Sequence, residues 1–446
     1  MTRNALTEHY LTEVARRGVG ADELPAATLR HLDLDATSYR GKTLPRPAFL
    51  DRAEVARLDA DLRNLQDALY ALPDRLFGGD IGAFARAAGM TEPQVTAVLR
   101  GRGPAPTRMG RADIYHDGEH FRLMELNLGS ALGGLDNAMV NPTFLTHPFF
   151  AEFVRENGLA YMDTLAELVR TLLVESDIPD GQRPLVAAVD WPASFANLEE
   201  RLKQSAAAMA PFGVDVVPCH LGMLKIHSGR VWLDGRPVDV IYRLFLIEDL
   251  LDPEGPGLVD PVLRAVERGE VRIFAPMDAE LYGNKAALAM VSDGANRHHF
   301  TPEQVASLDR LLPWTQIVRE GDVVVDGELV DLRGYAEAER ENLILKPTLL
   351  HGGIGVVPGW ETPADEWRTH LDGANTGHHV LQRRIRGVPE LFPTADGHEQ
   401  RLLNWGVFTA ARGYAGAFVR GTTDLEDGIV NVAAGATLGC TFHEAG

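Results

Sequence analysis

Four side chains near the first quarter of the chain have the types and spacing for phosphate chemistry. Arg111 and Asp113 stand two apart, as do Glu125 and Asn127. Residues two apart on a strand share a face. The segment MGRADIYHDGEHFRLMELNLGS reads as strand, DGE turn, strand, with Ala112, Ile114, Phe121 and Leu123 alternating as a half-buried hairpin requires. If it folds back around His116–Glu119, the two faces converge. Two carboxylates and an amide oxygen then form a set of hard oxygen donors suited to Mg²⁺, with Arg111 beside them to offset charge on a transferring phosphoryl group. A solvated hairpin with ordinary salt bridges fits the same letters. Met124, Leu126 and Leu128, interleaved with the polar pair, favour a buried face and a ligand face.

Later residues supply the opposite charge. Lys346 ends the apolar run Leu343-Ile344-Leu345 and precedes His351-Gly352-Gly353-Ile354-Gly355. Glycines let backbone N–H groups approach a phosphate closely, and the lysine adds a compact charge. A lysine in that setting needs an anionic partner if buried; a hairpin turn with a surface lysine is the plain alternative. Lys285 opens a helix after YGN, and helix N-termini favour anions. Gln382, in VLQRRI, sits on a strand that could read a purine edge. Arg420 and Asn431, in FVRGTTDLEDGIVNVAAG, could face a phosphate or a substrate carboxylate. Each of these also fits an ordinary structural role.

Other chemistries fail on spacing. His398-Glu399 begins HEQRL, without the second histidine of a zinc-protease helix. Ser130 lies in LGSAL, which is not a G-x-S-x-G elbow. There is no G-x-x-x-x-G-K-[ST] loop, and Gly353-Ile354-Gly355 reaches proline at 358, where a dinucleotide fingerprint needs glycine. Cys219 and Cys440 are far apart and match no metal spacing, so both are expected to be buried neutral thiols.

The elements that must position these residues change character along the chain. Residues 1–107 read as mainly helical: Val55, Leu58, Leu62, Leu65, Leu69 and Leu72 mark one helical face, and 82–101 reads as two short helices around a turn. Residues 108–183 hold the hairpin and further helices. In 184–275 strands alternate with a helix, which predicts a parallel sheet. Residues 276–446 mix helix starts with hairpins, including REGDVVVDGELVDL and an antiparallel pair turning at Arg412-Gly413.

With 446 residues, 45% hydrophobic and 24% charged, the chain has ordinary globular composition, and its length suggests two or three domains or one large enzyme with a composite core. No run approaches a membrane-spanning length, and MTRNALTEHYLTEVARRG lacks a signal-peptide core, so a cytoplasmic protein is expected. The net charge of −20 disfavours a nucleic-acid-binding surface, but a few lysines and a metal can reverse the field locally for a small anion. The oligomeric state stays open, with a homodimer as the assembly to test.

In their order along the chain these pieces resemble the synthetase domain of the glutathionylspermidine synthases, and more broadly the circularly permuted ATP-grasp ligases. The likeness rests on Arg111-Ala-Asp113, Glu125-Leu-Asn127, the segment VDVIYRLFLIEDLL, Asn284-Lys285, Lys346 with HGGIG, Val380-Leu-Gln382 and the strand ending at Arg420. It spans roughly residues 108–446. It implies an α+β/α/β ATP-grasp fold in permuted order, split between 108–183 and 276–446. A Rossmann-like preATP-grasp domain would be inserted at 184–275, with the helical region 1–107 in front. By the same resemblance Asp113, Glu125 and Asn127 hold Mg²⁺. Arg111 and Arg420 act catalytically. Lys285, Lys346, Gly352, Gly353 and Gly355 contact ATP phosphates, and Gln382 lies near adenine.

The amidase domain of some family members is absent. LGSALGG replaces the threonine-rich continuation after Asn127, so glutathione and spermidine do not carry over. The implied reaction joins a small-molecule carboxylate to an amine (amino acid, peptide or polyamine) through an acyl phosphate, with ADP and phosphate released. Arg243, Arg420 and LGSALGG are candidates for substrate contact. A kinase or thioester-forming enzyme on the same scaffold, or a non-catalytic nucleotide-binding regulator, would share the phosphate machinery.

Overall fold

The computed structural model describes residues 4–32, 42–129, 132–135, 137–350, 353–374, 378–425, 430 and 435–445. His351, Gly352, Ser130, Ala131 and Asn431 fall outside the described residues. Among the described residues, no helix is long and apolar enough to cross a membrane.

The alternation read in the acidic segment produces a hairpin. Gly110–His116 pairs antiparallel with Phe121–Leu128, and His116 faces Phe121 across the turn. The hairpin is one edge of the central sheet. Next to it come Gly397–Ala410, then Gly413–Thr422, Thr437–Glu444 and Ala48–Leu50. The Gly397–Gly413 region turns one residue earlier than expected, since Ala410 pairs with Gly413. The helical region is tied into this sheet. Ala48–Leu50 runs parallel to Thr437–Glu444, and the helix Arg52–Leu76, started by an Asp51/Glu54 capping box, buries Leu58, Leu62, Leu65, Leu69 and Leu72. Ile81–Ala87 and Glu92–Arg100 form the expected helix pair.

A second sheet is wholly parallel, in the order Arg272–Phe274, Val240–Arg243, Leu185–Asp190, Asp215–His220. Its central strand, LVAAVD, is buried at every position, as expected where both faces are covered. The helix Pro192–Met209 connects it to Asp215–His220. A third, antiparallel sheet sets Leu343–Pro347 between Val357–Pro358 and His379–Arg383, with Thr315–Ile317 beyond. Asp322–Val325 and Glu328–Asp331 form the small extra hairpin. Both cysteines are free and buried, and burial pushes the Cys219 thiol up to about 12.

Candidate functional site

Asp113 lies directly opposite Glu125, and Arg111 directly opposite Asn127. The four side chains therefore share one face of the hairpin, and all four line a cavity of 310 Å³. Lys285, Lys346, Gly353 and Arg420 line the same cavity from distant parts of the chain.

Each arrives for a local reason. Asn284 caps the helix Lys285–Ser292 by accepting from the Ala286 N–H. Glycine at 283 lets the start of the helix lie close against the hairpin. A Cβ there would lie 3.2 Å from the Leu126 carbonyl oxygen and 3.3 Å from the Leu128 nitrogen. That close approach sets the Lys285 ammonium 3.6 Å from Glu125, and it also donates to the Leu350 carbonyl at 2.9 Å. Lys346 comes from the antiparallel sheet and is 4% exposed. It donates to the Gln382 side-chain oxygen at 2.7 Å and to the Met124 carbonyl at 3.2 Å. Its direct partners are neutral; the nearby carboxylate of Glu125 acts on it only through space. Burial brings its ammonium down to about 8, Lys285 pushes the same way, and Glu125 opposes.

Asp113 is 1% exposed. Arg111 grips it with two hydrogen bonds, at 2.8 and 3.0 Å, and Arg420 reaches it at 2.9 Å. Burial alone would raise its carboxyl; the two guanidiniums outweigh burial and hold it below the usual carboxylate range. Arg420 also donates to Asn404 at 2.5 Å. Both guanidiniums sit over the Phe418 ring, at 5.8 Å for Arg111 and 5.4 Å for Arg420.

Glu125 and Asn127 offer oxygen donors of the kind a hard divalent cation takes, and Asp113 stands beside them with both oxygens held by Arg111 and Arg420. The Asn127 amide supports that fit: its Nδ2 is buried with no hydrogen-bond partner among the described residues, so the side chain is not spent on internal structure. Four cations, Arg111, Arg420, Lys285 and Lys346, face two carboxylates, Asp113 and Glu125, across the cavity. Glu280 also lines it but is paired with Arg243 at 2.8 Å. The surplus is positive inside a chain of net charge −20, the local reversal that a polyphosphate requires.

Three of the candidates, Gln382, Arg243 and Gly355, stand off the cavity wall. Gln382 is not part of the cavity wall; it stands behind Lys346, with its amide nitrogen donating to the Thr315 hydroxyl at 3.2 Å. Arg243 is 0% exposed and donates to the carbonyls of Ala275, Phe245 and Pro276 as well as to Glu280. It braces the strand ends and is not free for a substrate. Gly355 has a positive φ of 71° but does not line the cavity. Leu132, which lines it, belongs to the LGSALGG segment read as a candidate for substrate contact; Tyr115, Leu246 and Val430, which also line it, carried no signal of their own beyond being apolar or aromatic.

No family model and no curated protein matches the chain. Among solved structures, a glutathione synthetase-like effector from Globodera pallida is similar over 98% of this chain and 97% of that one, at 12% identity and a TM-score of 0.57. A putative gamma-glutamylcysteine synthetase from Methylobacillus flagellatus KT overlaps 84% of this chain and 85% of that one, at 14% identity and a TM-score of 0.43. The chain shares the effector's fold, a mixed α/β architecture.

Proposed function

We propose that this chain is an ATP-dependent carboxylate–amine ligase. The carrying observation is that side chains from four separated segments, 111–127, 285, 346–353 and 420, line one cavity with surplus positive charge. The neighbour whose fold the chain shares is named as glutathione synthetase-like, which accords with amide formation. We read 108–183 and 276–446 as two parts of one permuted ATP-grasp unit because their strands share the central sheet. The parallel sheet of 184–275 is then the insert.

In this reading Lys285 and Lys346 hold the phosphates of ATP, and the loop through Gly353 covers them. Asp113, Glu125 and Asn127 would hold Mg²⁺, which would offset the charge of the phosphates there. A substrate carboxylate oxygen attacks the γ-phosphorus, ADP leaves, and an acyl phosphate forms. The neutral amine nitrogen then attacks the acyl carbon; the C–N bond forms, the C–O bond to phosphate breaks, and phosphate departs with the proton that the nitrogen loses. Arg111 and Arg420 face the charge that develops on the acyl oxygen and the departing phosphate. Asp113 would take part in holding Mg²⁺ only with an oxygen freed from Arg111 or Arg420, which hold both of its oxygens. The walls of the cavity keep water from the acyl phosphate.

The decisive measurement is ADP release and product mass after Mg-ATP is offered with pools of carboxylates and amines. We expect ADP only when both substrates are present, and Glu125→Ala to lower turnover at least ~100-fold with the fold retained. Normal turnover in that variant removes the metal assignment. Sustained turnover of ATP to ADP without an amine, beyond one equivalent per enzyme, removes the ligase.

A further inference from the structure

A second cavity, of 430 Å³, adjoins the first, and Leu132 and Leu246 line both. It runs under the helix Pro192–Met209, from Met209 and Val216 near the amino ends of the strands to Asp190, where the parallel sheet changes direction. From the strand Leu185–Asp190 the chain steps one way to Asp215–His220 and the other way to Val240–Arg243. Crevices at the carboxyl ends of strands about such a point are ready-made ligand sites.

Its walls are of two kinds. Leu198 and Leu202 of the helix Pro192–Met209, with Met209 and Val216, give it an apolar body. Two carboxylates, Asp190 and Asp249, face the same space. Asp190 is the last residue of its strand and is 6% exposed. One of its oxygens accepts from the Trp191 N–H at 2.7 Å; the other has no hydrogen bond or ion pair among the described residues. Asp249 accepts at 2.7 Å from the N–H of Leu246, one of the two residues shared by the cavities. That places the Asp249 carboxylate beside the junction. The only cation among the described lining residues is Arg201, exposed on its helix.

We propose that this second cavity is the amine subsite: it takes a primary amine carried on an apolar body, with the ammonium held by Asp190 and Asp249 at the junction and the body laid along Leu198 and Leu202. This rests on the ligase reading for its place in the reaction, but its chemistry is legible alone. Two carboxylates in an apolar setting are costly without a positive charge between them. Burial raises both carboxyls, with each other's charge a lesser cause for Asp190, so an arriving ammonium relieves that cost. A carboxylate substrate would meet the same pair as repulsion. The apolar walls give affinity to a hydrocarbon body and none to a short hydroxylated one.

Isothermal titration with three near-isosteric probes tests this on the intact protein: 2-phenylethylamine, 2-phenylethanol and 3-phenylpropanoate. The amine is expected to bind at least ten times more tightly than either other probe. Asp190→Asn should weaken the amine tenfold or more and leave the alcohol's weak affinity in place. Leu198→Arg, at a position 41% exposed and so tolerant of the change, should abolish amine binding with the fold intact by circular dichroism. Alcohol or carboxylate binding equal to the amine, or amine binding indifferent to both variants, overturns the proposal. Mg-ATP titrated into the same samples separates the two readings. Failure to bind Mg-ATP sinks the ligase while the amine preference is still read directly. Tight Mg-ATP binding with no amine preference sinks the subsite alone.

Discussion

Lys346 shows how a single residue can be costly to the fold and useful to the site. Its ammonium is buried against two neutral acceptors, and its titration falls from 10.5 to about 8. At ~1.4 kcal/mol per unit this is on the order of 3 kcal/mol against folding at neutral pH. The native state holds its proton less tightly than the unfolded chain. The penalty is therefore complete below pH ~8 and fades as pH rises toward 10.5. We expect Lys346→Met to raise the melting temperature at pH 7 and the gain to shrink by pH 10, read by calorimetry across pH. The same variant should lose Mg-ATP affinity. In the native protein that affinity should decline as pH rises through about 8, whereas Lys346→Arg should flatten the decline; a flat native profile would detach Lys346 from the phosphates. The lysine after Leu-Ile-Leu was legible in the sequence as a buried charge in want of an anion. Its neutral partner Gln382 was not, because pairing across the antiparallel sheet, with Ile344 opposite Gln382, depends on register that single strands do not reveal.

At the scale of elements, the hairpin was legible because period-two alternation and a DGE turn specify both its faces and its fold-back. The strands that complete it were not. Arg420 reaches Asp113 from beyond the intervening strand Gly397–Ala410, and nothing local in FVRGTT announces a partner so far back in the chain. What makes room for this crossing is Gly406, which pairs with Asp113 on one side and Phe418 on the other. A Cβ at 406 would fall 2.4 Å from the Phe418 ring, the surface under both arginines. Gly406→Ala should therefore cost about 1–3 kcal/mol, as overpacked sites do. It should also weaken Mg-ATP binding severalfold, although residue 406 is not part of the cavity wall. Adding Phe418→Leu should recover the stability by making space. Denaturant melts paired with titration decide the point: lost stability with unchanged nucleotide affinity would mean that the ring does not position the guanidiniums.

For the whole molecule, the segment pattern suggested a helical region followed by separate α/β parts, and composition alone could not say how they join. The joints are specific. Arg46, 0% exposed, pairs with Glu390 at 2.9 Å and lies over the Phe392 ring at 4.1 Å, just before Ala48–Leu50 enters the central sheet. The front of the chain is thus fixed to its last third through a buried ion pair and a parallel strand, in the same sheet that carries Asp113 and Arg420. Removing one member of such a pair leaves a buried charge without its counterion, which costs about 3–5 kcal/mol. We expect Arg46→Met to show that loss, and to show it as one transition. Far-UV circular dichroism, dominated by the helices, should fall together with tryptophan fluorescence, which includes Trp405 in the central sheet. If residues 1–107 were an independent unit, the variant would melt in two steps and Mg-ATP binding would survive the first. A single step that removes both signals and binding together would mean that the acidic hairpin keeps its shape only while both ends of the chain hold the sheet.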